Sequence, residues 1–213
     1  MLKEFLKKIP KLPLSALIFY SCIIILWKTN LIPSPANILI ILENLYNSYG
    51  LTGLFIASFL EGIVYLGLYF PGSFIVALAV IFSDGTFLSL ISISITVAIA
   101  LTITSLINYF FGTRIKNNIV AEKEIKKKII SKGLFVSMLH PNILAFYFFN
   151  SGIKRKNFLK IILVPLIMIP YGLAMGFLIY SVKEPAKIIV ENPLTMITVI
   201  LIWIIFAFII SKK

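Results

Sequence analysis

Apolar residues run along this chain in long blocks, with no alternation of period two and only short polar interruptions. Blocks of that kind read as helices surrounded by lipid or protein, because a membrane-crossing helix needs about 20 apolar residues. Leu12–Trp27 is the first block, short for a span but extendable by Lys28 reaching outward. Pro33 and Pro35 break the chain, and from Ala36 the positions Ile38, Leu39, Leu42 and Leu45 follow helical spacing, as in a helix lying at the interface. Two uncharged pieces follow, Leu51–Leu60 and Gly62–Ser83, separated by Glu61 and interrupted by Pro71-Gly72. After the turn at Asp84-Gly85, Thr86–Phe111 is uncharged and long enough to span; Ile161–Val182 and Leu194–Ile210 are two further spans.

The segments between the blocks set their orientation. Lys3, Lys7, Lys8 and Lys11 precede the first helix, and Arg114–Lys132 holds seven basic residues against two acidic ones. Both are expected on the cytoplasmic side, the second as a basic helix on the inner membrane surface. Lys154, Arg155, Lys156 and Lys160 form another basic cluster, and only Gly133–Gly152 lies between the two. If that stretch crossed the membrane, the second cluster would fall outside, so a re-entrant hairpin bent at Pro141-Asn142 fits better. For 51–83, parity does not separate two spans from one hairpin; the Pro71-Gly72 break and Glu61 favour a hairpin entering from the outer face. Lys212 and Lys213 then fall inside with the N-terminus.

The expected fold is therefore an all-α integral membrane protein with two oppositely entering re-entrant hairpins, an inverted-repeat arrangement. Residues 1–49 would supply a basic segment, a first transmembrane helix and an interfacial helix. Residues 50–182 would form the core with hairpins at 51–83 and 133–152, and 183–213 a last transmembrane helix. Composition agrees: 60% of the 213 residues are hydrophobic, 13% are charged, and mean hydropathy is +1.02. A soluble domain carries about a quarter charged residues. The net charge of +12 follows from positive-inside loops and anionic headgroups, so nucleic acid is not an expected partner. No small-x-small cleavage site follows the first block, where Lys28-Thr29-Asn30 stands, so that helix is expected to stay uncleaved. The lone Cys22 forms no internal disulfide.

Glu61 is the leading functional candidate. A carboxylate at the centre of a lipid-facing helix costs about 2.5–3.5 kcal/mol, so it is expected to face protein or a cavity, where it suits a proton-linked switch. The competing reading is a structural carboxyl bonded to the opposite hairpin. His140 is its counterpart in the second hairpin, either a proton relay or a packing residue. Asn142, Asn150 and Asn108 are polar groups at membrane depth that need partners, and Asn108 is expected to tie helices together. Ser94, Ala98, Thr102 and Ser105, with Gly172 and Gly176, read as helix-packing surfaces. No metal site is expected from one His, one Cys and a Glu, and neither a cofactor nor an enzymatic nucleophile with its base is expected.

Phe59-Leu60-Glu61, an apolar run and then Phe70-Pro71-Gly72 resemble the first re-entrant motif of the DedA family, also called the VTT or SNARE-associated domain family. Tyr109–Arg114, with Gly112, is similar to that family's Tyr-x-x-Gly-Arg helix ending, its Arg displaced by one. His140-Pro141 through Asn150-Ser151-Gly152, followed by Lys154, resembles the second hairpin. The resemblance covers roughly 50–180. It implies a multi-pass protein of the plasma or inner membrane that moves polyprenyl-phosphate carriers or phospholipids between leaflets, in some members driven by protons. Glu61 would be its membrane-embedded acid, with Pro71, Gly72, Ser73, Pro141, Asn142 and Asn150 lining the cleft and Arg114 and Lys132 contacting anionic headgroups. Two departures stand out: Ser73 replaces an acidic residue after Phe-Pro-Gly, and Met138 and Leu144 replace the hairpin arginines that would clamp a phosphate. A proton-coupled lipid transporter is the leading expectation, with membrane lipids and protons as partners and homo-oligomerisation left open. A proton- or cation-coupled transporter of a small solute and a non-transporting scaffold remain the alternatives.

Overall fold

The computed structural model describes residues 11–70, 72–115 and 133–211, and every regular element among them is helical. Helix α1 (Lys11–Lys28) and α2 (Pro35–Gly62) come first, followed by a 3-10 turn (Leu66–Leu68), α3 (Gly72–Phe82) and α4 (Phe87–Arg114). Then come α5 (Leu134–Ser137), α6 (Pro141–Ile153), a 3-10 turn (Phe158–Ile162), α7 (Leu163–Ser181), α8 (Lys183–Glu191) and α9 (Pro193–Ser211). Three stretches are long and apolar enough to cross a membrane: Phe87–Arg114, Phe158–Ser181 and Pro193–Ile210. Among the described residues the chain is thus all-α, with these three helices at the apolar blocks Thr86–Phe111, Ile161–Val182 and Leu194–Ile210, whereas the first block forms a shorter apolar helix, Pro13–Lys28.

The structure shifts several local boundaries. Around Gly50 the predicted division holds: α2 is two helical segments that meet at Gly50, whose φ 48 and ψ −132 are non-helical and lie in a backbone region that a side chain would strain. The break expected at Pro71-Gly72 begins nine residues earlier, because α2 already stops at Gly62. In the stretch expected to form the second hairpin, the bend precedes Pro141, which occupies the first turn of α6; the ring's fixed φ and missing N–H suit that place. Only four helical residues, α5, precede the bend, so the expected half-length helix on that side is a single turn. Helix α8, which mixes Lys183, Glu184 and Lys187 with Ile188 and Ile189, fell in no apolar block. The basic surface helix expected at 114–132 lies, beyond Ile115, outside the described residues, as do Pro71, Lys132, Lys212 and Lys213.

Two compact units form. One consists of the chain up to Leu42 with that from Val182 onward, and in it α1 and α8 pack against α9. The other, Glu43–Ser181, is organised around α4, which packs on α3, α6 and α7. Small residues allow these approaches: a Cβ on Gly112 would overlap the Phe149 carbonyl, and one on Gly152 the Tyr109 carbonyl. Ser94 and Ala98 are buried, and Gly172 rests on Ser94 while Gly176 rests on Leu90, as the packing reading expects.

The two halves of α4 have different neighbours. Along its first half, Leu90 and Ile93 pack with Leu54 of α2 and with Ala79 and Val80 of α3. Along its second half, Leu101 and Tyr109 pack with Leu144 and Phe148 of α6. The polar ends differ as well. At the start of α4, Tyr180 donates its hydroxyl to the Asp84 carbonyl at 2.9 Å. At its far end, Tyr109 donates to the Lys156 carbonyl at 2.6 Å, gathering exposed Arg114, Lys154, Arg155 and Lys156 at one end of the unit.

Candidate functional site

Helix α2 ends inside the unit, with carbonyl and amide groups that need partners. Asn108, fully buried on α4, supplies two: its Nδ2 donates to the Gly62 carbonyl at 2.7 Å and its Oδ1 accepts from the Val64 amide at 2.9 Å. The expected tying role of Asn108 is what the structure shows. Tyr65 then adopts φ 67 and meets Phe146 and Phe149 edge-on. Asn142, at the start of α6, donates to the Gly67 carbonyl at 3.0 Å. The non-helical segment between α2 and α3 is therefore held by α4 on one side and by α6 on the other.

This arrangement places Glu61, only 3% exposed, beside Leu101 and Thr104 at the middle of α4, where Gly62 packs. Its Oε1 accepts a hydrogen bond from the Ser73 hydroxyl at 2.7 Å, across the break and from the first turn of α3. The carboxyl packs so closely on Gly72 that a Cβ there would come within 2.6 Å of Oε2. Ser73, which departs from the family's acidic position, is thus the partner of the acid in this chain.

Glu61, Ser73, Ser58 and Ser94 form the polar part of a cavity of about 180 Å³. Apart from the Tyr171 phenol, the rest of the wall is apolar and includes Val76, Leu101, Met168 and Met175. Leu139 and Met175 also line it and reach the surface, at 59% and 37% exposure, so the cavity has a mouth. Among the described residues no Lys or Arg lines it. Ser58 is 1% exposed, and its Oγ has no hydrogen-bond partner among the described residues.

The predicted site residues divide into three groups. Glu61, Ser73 and Pro141 line the cavity, and Gly72 backs it. His140 is exposed and outside the lining; its Nδ1 accepts from the Asn142 amide at 3.2 Å, capping α6. Asn142 fastens the break without lining the cavity, Asn150 lies outside the lining, and Arg114 is exposed at the far end of α4. Pro71 and Lys132 fall outside the described residues. Sequence reasoning missed Ser58; its spacing of three from Glu61 on one helix was the available signal, since such residues share a face. Among the described residues no three His, Cys, Asp or Glu side chains cluster as metal ligands.

Compared with known proteins, the chain matches no family model, no curated protein and no solved structure. The resemblance to the DedA family rests on the motif residues alone.

Proposed function

We propose that this chain is a DedA-like membrane lipid transporter, in which a lipid head passes through the cavity at Glu61 while the chain of the lipid stays in the bilayer. One observation carries the reading: a buried carboxyl, hydrogen-bonded among the described residues to a serine across a helix break, faces a mostly apolar cavity beside the middle of the central helix. An acid at that depth is costly unless it serves a pathway or a switch.

The neighbours of α4 support opposed hairpins. The second half of α2 and all of α3, eleven residues and too short to span, pack along the half of α4 near Asp84 and meet at Glu61. Helix α6, thirteen residues, packs along the other half and ends among Arg114 and Lys154. The first arm would enter from outside and the second from the cytoplasm, with both termini cytoplasmic, in the plasma or inner membrane. Exchange of a proton on Glu61, breaking and remaking the Ser73 bond, would bias which side the cavity opens to.

A pathway for a soluble solute would call for a more polar wall, and a scaffold has no use for a cavity at Glu61. The test is leaflet exchange of labelled phospholipid, polyprenyl-phosphate and phosphate-free long-chain alcohol and amine probes in proteoliposomes, beside flux of small soluble solutes. Exchange of a lipid probe above that of protein-free vesicles is expected. Solute flux with no lipid exchange would overturn the reading.

A further inference from the structure

We infer that the cavity at Glu61 takes a head that donates a hydrogen bond, an alcohol or an amine on an apolar chain, in preference to a bare phosphate. This narrows the lipid reading above and rests on the cavity being the cargo site.

The polar groups on the wall decide the point. Glu61 Oε1 is used by Ser73, so the remaining lone pairs of the carboxyl call for a donor. Ser58 Oγ, buried and unpartnered on the same face of α2, both donates and accepts. Ser94 Oγ already donates to the Leu90 carbonyl at 2.8 Å, and the Tyr171 hydroxyl, able to donate or accept, does not discriminate between heads. A hydroxyl head donates to Glu61 and accepts from Ser58; an ammonium donates to both. A phosphate brings negative charge and acceptor oxygens to a wall where, among the described residues, no Lys or Arg answers it. His140 does not line the cavity, and its Nδ1 accepts from the Asn142 amide at the start of α6.

Size adds a second constraint. At about 180 Å³ the cavity is close to an engineered protein cavity of about 150 Å³ that takes up benzene. It therefore holds the head and the first few carbons of a chain, with the remainder leaving through the mouth at Leu139 and Met175. The methionines on the wall, Met138, Met168 and Met175, adapt to chains of different shape.

The test uses the full chain in nanodiscs and three clickable diazirine probes of one chain length: an alkyl alcohol, an alkyl amine and an alkyl phosphate. After photolysis, the adducts are mapped on peptides from 54–82 and 163–181. Alcohol and amine adducts at these peptides should exceed phosphate adducts at least fivefold. Glu61→Gln should lower amine labelling about tenfold, since a hydrogen bond to a charged group is lost. Ser58→Ala, which removes one oxygen and is expected to fold normally, should lower alcohol labelling while leaving the elution profile unchanged. Phosphate labelling at the cavity equal to or above the other two would overturn the head-group inference and keep the cavity as a cargo site. Absence of labelling at these peptides by all three probes would overturn both.

Discussion

Asn108 bears on the site more than its place on a packing helix suggests. Fully buried, its amide satisfies the Gly62 carbonyl that α2 leaves open where it stops and the Val64 amide just beyond it. Asn108→Ala is expected to destabilise the protein by about 1–3 kcal/mol, the cost of leaving such groups unpaired. A lowered thermal unfolding midpoint in detergent would register this, and an unchanged midpoint would contradict it. Asp84, in the exposed turn before α4, accepts from the Thr86 amide at 3.0 Å and from its hydroxyl at 2.9 Å. Those bonds hold its carboxyl below the usual Asp range. Its contribution to stability is therefore present above the unfolded value of about 3.9 and is lost as pH falls through the lower folded value. A carboxyl NMR titration should place Asp84 below about 3.9, and a midpoint at or above that value would refute the assignment. Glu61 and Asn108 stood out in the sequence as polar groups in apolar runs. The pairing of Glu61 with Ser73 did not, because it depends on the path of the intervening turn.

At the level of elements, close helix contact at glycines sets the frame that holds the break. A Cβ on Gly112 or Gly152 would overlap backbone carbonyls of the facing helix, which have no flexible end to move aside. Gly112→Ala and Gly152→Ala are each expected to cost about 1–3 kcal/mol, as overpacking does. Gly133, with nothing within 4 Å of a Cβ, should accept alanine without loss. Unfolding midpoints of the three variants separate them, and equal shifts would contradict this packing. The helices themselves were legible because apolar runs long enough to span have few other uses. The ends of α2 and α6 were less so. Proline drew the predicted break to Pro71 and the predicted bend to Pro141, whereas α2 stops at Gly62 under a long-range cap from Asn108, and Pro141 begins a helix.

Across the whole chain, charge and burial point the same way. Arg114 and Lys154–Lys156 gather at one end of the unit formed by 43–181, and Asp84 marks the other. The basic end is expected to face the cytoplasm, with both termini on that side. Reporter fusions should show this: a C-terminal fluorescent protein that folds only in the cytoplasm should glow, and a dark fusion in membranes that contain the protein would reverse the orientation. The basic loops made this legible. The cavity was not legible, since its wall is assembled from α2, α3, α4, α7 and the bend before α6, and no single stretch records it.

In the proposed function, Glu61 and its cavity carry lipid across the bilayer. The direct measurement is leaflet exchange of the best-transported lipid probe in proteoliposomes at several pH values, for wild type, Glu61→Gln and, as a control, Glu43→Gln at an exposed position. The account predicts that Glu61→Gln slows exchange at least tenfold and flattens its pH dependence, while Glu43→Gln behaves as wild type. Exchange by folded Glu61→Gln at the wild-type rate, with the same response to pH, would contradict it.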